Sequence, residues 1–150
     1  MGTISGASII STINLLEHII DPKAFFNSIA SQIKIGTYYL FEVPRFPSIS
    51  TLANICFPNY AARNIYPPDH LHIFSDYSVK LMIENAGLEK ISTWFFGQDI
   101  YELIGNCLLE GNFKDHLLID KVLSITNDLQ KIVDKEGLSD TMLILTKKVK

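Results

Sequence analysis

The chain lacks several things, and each shortage removes a class of function. It has only two cysteines, Cys56 and Cys107, in 150 residues, with no Cys-x-x-Cys pair and no metal-type spacing. A disulfide framework or a zinc ribbon cannot be built from that, so both are expected as reduced, buried thiols of a cytoplasmic protein. Charged residues make up 19% of the chain, against roughly 25% in an ordinary soluble domain. That scarcity suits a chain that covers some apolar surface with a partner. The net charge is −3, and the nearest thing to a basic cluster is Lys147, Lys148 and Lys150 at the tail. An extended phosphate-binding footprint is thereby excluded, and with it nucleic acid as a partner. No uninterrupted apolar run approaches the ~18 residues that cross a bilayer, and no basic segment leads into an apolar stretch at the start, so no membrane association or signal peptide is expected. Gly-x-Gly-x-x-Gly, Walker and Gly-x-Ser-x-Gly motifs are all absent.

What is present alternates between strand and helix. Ile4 to Ile13, rich in Ile, Ser and Thr, reads as a strand weakened by Gly6. Asp21 is a good N-cap and Pro22 suits a first helical turn, whose N–H groups have no intrahelical acceptor. Phe25, Phe26, Ile29, Ala30 and Ile33 recur at helical spacing, with Gly36 as the stop. Thr37 to Val43 is a strong strand ended by Pro44, so a parallel strand–helix–strand unit with a right-handed crossover is expected. Between Arg45 and Pro68 the prolines multiply around a possible short helix, Ile49–Phe57, and the segment is too apolar for a linker. It reads as a cap over the sheet's edge. Ser75 caps a helix ending at Gly87, and Leu88–Phe96 follows as a strand. Gln98–Leu109 and Asp115–Lys135 read as helices, the second with Leu118, Val122, Ile125, Leu129, Ile132 and Val133 along one side. Thr141–Thr146 closes the chain as a buried strand. The fold class is therefore α/β, with one domain over residues 1–150.

Ligands in open α/β sheets bind at the carboxyl ends of the strands. Glu17 and His18 stand at such an end, just before a helix. Two readings are open: a capping carboxylate beside a backbone-bonded imidazole, or a general base oriented by its neighbour. Pro67 to Ser75 carries Asp69, His70 and His72; extended backbone puts the two histidines on one side, where they could bind a metal or handle protons. A structural role at the Ser75 helix start is the simpler reading for His72, solvation for His116, and helix capping for Asp99. Trp94, Phe95 and Phe96 read as core. Arg45 and Arg63 flank the cap, where either could bind a carboxylate or phosphate, with solvated surface as the commoner fate.

These residues resemble a known family, the class I S-adenosylmethionine-dependent methyltransferases. Asn14-Leu15-Leu16-Glu17-His18-Ile19-Ile20-Asp21-Pro22 is similar to that family's Leu-Glu-His-x-x-Asp-Pro signature after its fourth strand. Ile33-Lys34-Ile35-Gly36-Thr37 resembles its Leu-Lys-Pro-Gly-Gly turn, with Ile35 and Thr37 departing from it. Glu42-Val43-Pro44, and His70 to Ser75 followed by Glu84-Asn85-Ala86-Gly87-Leu88, resemble later motifs in the right order.

The resemblance implies a partial doubly wound, Rossmann-like sheet with strands equivalent to 4-5-7-6, the last antiparallel, and helices on both faces. The family's Gly-rich cofactor loop and ribose-binding acid have no counterpart here. By the same resemblance Thr12, Ile13, Asn14 and Glu17 would line the S-adenosylmethionine site, and His18 or His70 would deprotonate a small-molecule acceptor. Some relatives hold a divalent metal with Glu-x-x-Glu-His and a distant His. Here Asn14 stands at the first position, so no metal is expected. The alternatives are a truncated, non-catalytic methyltransferase-like module and a metal-binding protein using His18, His70 and His72. A homodimer or swapped assembly covering the Ile4–Ile13 edge is expected in either case.

Overall fold

A computed structural model describes residues 4–60, 62–65 and 67–150. The order of elements is β1 (Ile9–Thr12), α1 (Pro22–Gln32), β2 (Tyr38–Pro44), α2 (Ile49–Cys56), α3 (Asp76–Asn85), β3 (Leu88–Phe96), α4 (Asp99–Glu110), α5 (His116–Lys135) and β4 (Thr141–Lys148). The four strands form one sheet in the order β1-β2-β4-β3. β1 and β2 run parallel, and β4 is antiparallel to both neighbours. That is the expected 4-5-7-6 arrangement, flanked by helices as a Rossmann-like α/β fold requires.

The first strand is shorter than its sequence suggests. Ile4–Gly6 forms a 3₁₀ turn, closed by the Ala7 N–H donating to the Ile4 carbonyl at 3.1 Å, so pairing begins only at Ile9. Local signals elsewhere are obeyed. Asp21 accepts from the Ala24 N–H at 2.8 Å and Pro22 opens α1. Gly36 adopts φ +94°, a left-handed turn that a side chain would strain. Ser75 and Ser78 form a reciprocal capping box at the start of α3.

Alternation in β2 buries Tyr39, Phe41 and Val43 beneath α1. The Phe26 ring lies 5.1 Å from Tyr39 and 5.0 Å from Phe41. Val79 and Ile83 from α3, and Met142 and Ile144 from β4, complete the same core, with Leu16 fully buried at its end. Leu16 therefore anchors the turn that follows β1.

Three expectations fail, each for a tertiary reason. Cys56 and Cys107 are free but exposed, because α2 and α4 pack on each other with those positions outward. Trp94 is 64% exposed, since alternation in β3 puts it on the face opposite Phe95. Arg45 is not solvated: its guanidinium forms a two-pronged pair with Asp76 at 2.8 Å and lies over the Phe95 ring at 5.1 Å. The sequence left open which way the apolar side of α5 faces, and the structure turns it outward: Thr126, Gln130 and Val133 are buried, while Leu118, Ile125, Leu129 and Ile132 are exposed. Gln130 is drawn inward because it donates to Asp99 and Asp134 and accepts from the Ile100 N–H.

Candidate functional site

The chain leaves β1 through Asn14, whose φ of 49° turns it sharply, and enters a 3₁₀ turn, Leu16–His18. With Leu16 locked in the core, Glu17 and His18 must lie at the carboxyl end of β1. Glu17 is 3% exposed. Its carbonyl accepts from the Leu71 N–H (2.9 Å) and the His72 N–H (3.2 Å), docking the segment that carries His70 against this turn. The same segment is held beside β2, because the Phe74 N–H donates to the Pro44 carbonyl at 2.9 Å.

Two imidazoles meet there. The rings of His18 and His70 are 4.9 Å apart, edge to face at 77°. His18 Nδ1 lies 2.6 Å from the Asp69 carbonyl and His70 Nδ1 lies 3.3 Å from the Asn64 carbonyl. A carbonyl only accepts, so each Nδ1 carries the proton and each Nε2 keeps its lone pair when the ring is neutral. His18 Nε2 stands 3.7 Å from Glu17 Oε1, while Glu17 Oε2 is buried without a hydrogen-bond partner. One donor atom from each of Glu17, His18 and His70 lies within 4.8 Å of the others, spacing that could hold a metal ion. Burial, and then the charge of Glu17, push the nearby Glu42 carboxyl above the usual carboxylate range.

The remaining candidates divide. Ile13 and Asn14 are exposed at the strand's end. The Thr12 side chain turns inward, its hydroxyl 2.9 Å from that of Tyr39, so Thr12 presents only main chain to a ligand. His72 does not join His70: the segment is not a strand, and His72 Nε2 instead reaches the Ile20 carbonyl at 3.3 Å. A His18–His70–His72 centre is therefore not assembled.

Asp99 does not cap its helix. Its carboxylate accepts from the Ser50 N–H (3.0 Å) and the Asp140 N–H (3.1 Å), tying α2 to the start of β4. Arg63, expected in solvent, pairs with the buried Asp140, and Asn64 Nδ2 donates to the Asp140 carbonyl at 3.3 Å. Asn64, whose carbonyl sets His70's proton, thus hangs from Asp140. Neither Asn64 nor Asp140 was visible in the sequence as a contributor, because one acts through a carbonyl and the other across 76 positions.

A family model described as "Methyltransferase domain" matches residues 6–93. The chain belongs to that methyltransferase family. No curated protein matches it. Among solved structures, magnesium protoporphyrin IX methyltransferase from Synechocystis PCC 6803 with bound SAH has 6% identity and a TM-score of 0.53, over 94% of this chain and 44% of that one. A putative sarcosine dimethylglycine methyltransferase from Galdieria sulphuraria has 10% identity and a TM-score of 0.52, over 97% and 54%. The [4+2]-cyclase SpnF matches equally well, at 10% identity and a TM-score of 0.52, over 97% and 52%. These likenesses show the fold. The methyltransferase chain spans about half the length of these neighbours.

S-adenosylmethionine is the cofactor expected of this methyltransferase fold. The residues at the end of β1 fit an approach by it: Ile13 and Asn14 are open, and Glu17 has a buried, unpaired oxygen. An unpaired buried carboxylate oxygen is costly unless something completes it.

Proposed function

We propose that this domain carries out S-adenosylmethionine-dependent methyl transfer to an oxygen or carbon of a small-molecule acceptor. The observation that carries the reading is the meeting of His18 and His70 beside Glu17, with both Nε2 lone pairs available. When bound, S-adenosylmethionine supplies an electrophilic methyl group. Ile13, Asn14, the Thr12 main chain and Glu17 would hold its methionine end. Either histidine would take the acceptor's proton at Nε2, which helps most when the nucleophile is a hydroxyl or a carbon acid. Positioning supplies the rest of the acceleration. The segment 45–68 would cover the acceptor.

The sequence has no Gly-rich loop to cradle the cofactor, so weak binding by this chain alone is expected. The alternative remains a methyltransferase-like module without catalysis. The two are separated by methyl transfer from labelled S-adenosylmethionine to a panel of hydroxylated and carbon-acid small molecules. Transfer that falls about 10²–10⁴-fold in His18→Asn or His70→Asn supports the base role. No transfer to any acceptor, together with no calorimetric binding of S-adenosylmethionine, supports the non-catalytic module.

A second reading is favoured by one specific feature: both Nδ1–H groups are tied to carbonyls and Glu17 Oε2 is unpartnered, the arrangement a bound ion needs. Two imidazoles and one carboxylate suit zinc, manganese or iron. Elemental analysis after native purification tests it. Stoichiometric metal lost in Glu17→Gln supports the ion, and absence of metal with no zinc uptake on titration rejects it.

A homodimer is proposed as the assembly, since the outer edge of β1 has no pairing partner among the described residues. A cytoplasmic location is proposed from the two free cysteines. Among the described residues no helix is long and apolar enough to cross a membrane.

A further inference from the structure

The apolar stripe on α5 is absorbed neither by the core nor by the site. Leu118, Val122, Ile125, Leu129 and Ile132 follow each other at alternating steps of four and three along a 20-residue helix. Four of the five are exposed, Ile125 at 51% and Ile132 at 59%. The face that α5 does bury, Thr126, Gln130 and Val133, lies roughly a quarter turn away, at ~100° per residue. The strand α5 packs on is β3, an edge of the sheet, so the stripe lies toward the rim of the molecule.

We propose that this stripe is the seam of a homodimer in which α5 packs antiparallel against α5 of a second copy. Apolar residues at a mean spacing of 3.5 are what two packed helices require, and solvent alone does not select for it. The run covers about 21 Å of helix at 1.5 Å per residue. The helix is already ordered by its inner face, so docking costs little conformational entropy.

Charge selects both partner and register. Lys121 and Asp128 flank the seam on its solvent side; Asp128 Oδ1 also accepts from Lys131 of its own helix at 2.8 Å, so the partner's Lys121 would join that pair as a second cation. In the antiparallel register that sets Val122 against the partner's Ile125 and Leu118 against the partner's Leu129, Lys121 faces the partner's Asp128, and symmetry repeats the pair. Sliding one heptad sets Lys121 against the partner's Lys135 and Asp128 against the partner's Asp128. A parallel pair sets Lys121 beside the partner's Thr126, which offers no countercharge. The stripe is thus self-complementary in one arrangement, as a two-fold interface must be.

This proposal shares with the functional reading only the expectation of a homodimer, and it names a surface other than the β1 edge. Sedimentation equilibrium of the full chain tests it. Wild type is expected as a dimer, and Ile125→Glu, at an exposed position, as a folded monomer by circular dichroism. Lys121→Asp is expected to weaken the dimer at least about tenfold, and Lys121→Asp combined with Asp128→Lys to restore it. A wild-type monomer, or a dimer unchanged by Ile125→Glu, overturns the proposal; a dimer lost instead in Ser11→Pro would move the interface to β1. If methyl transfer fails while the α5 variants behave as stated, only the catalytic reading falls.

Discussion

The guanidinium of Arg63 pairs with Asp140, a carboxylate 1% exposed at the start of β4 and set beside a second buried carboxylate, Asp99. Burial, and then the charge of Asp99, raise Asp140 above the usual carboxylate range, while Arg63 and the Ser50 hydroxyl pull it back. A carboxyl raised in the folded state favours its protonated form there. Its contribution to stability therefore worsens as pH rises from the ordinary carboxylate range through the folded value. Arg63→Ala removes the opposing charge, so its stability deficit should be about 1–3 kcal/mol near neutrality and should shrink in acid. Urea midpoints measured across the acidic to neutral range check the sign. A deficit that grows on acidification contradicts it.

Gly97 sits beneath both carboxylates. A Cβ there would run into Asp140 Oδ1 and Asp99 Oδ2, closer than any carbon–oxygen contact allows. Both are short side chains held by Ser50 and Gln130 and cannot swing clear. Gly97→Ala should cost about 1–3 kcal/mol as an overpacked site. Chemical denaturation reads it, and Gly105→Ala, with open space around it, is the control expected to show no such loss.

Tyr39 is fully buried, and burial pushes its phenol up to about 12, against a small lowering by the Thr12 hydroxyl. The folded state thus holds the proton where the unfolded chain releases it. Stability from this group is complete below pH 10 and is lost as pH rises toward about 12. The shift corresponds to roughly 2–3 kcal/mol at ~1.4 kcal/mol per unit. Tyr39→Phe should flatten the alkaline limb. It should also cost about 1 kcal/mol at neutral pH, because the Thr12 hydroxyl loses its buried partner.

Phe26 carries the contact between α1 and β2. Phe26→Ala should destabilise the fold by about 3–5 kcal/mol, since Tyr39 and Phe41 cannot both collapse into the gap. Thermal unfolding of the purified variant measures it.

Much of the architecture was legible from local chemistry. Asp21 and Pro22 announce α1, Ser75 announces α3, and the aromatic run of β2 leads into Pro44, because caps and strand preferences act between residues a few positions apart. The edge location of Glu17 and His18 could be read the same way. The direction that α5 faces was not legible. Its apolar stripe is plain in the sequence, but which face turns inward is decided by Gln130, which donates to Asp99 and Asp134, because a buried carboxylate's need for donors outranks exposure of a few aliphatic side chains. Trp94 misled because its alternation is visible in sequence but the cover on each face is not.

The sequence by itself determined the alternation of strand and helix, the turns between them and the family whose motifs they carry. Those depend on backbone preference and on side chains near in the chain. Only tertiary structure brought His70 against His18 across 52 positions, assigned their protons to Nδ1 through Asn64 and Asp69, and seated Arg63 on Asp140. Main-chain carbonyls are the same atoms in every residue, so no pattern of side chains could reveal which of them an imidazole would meet.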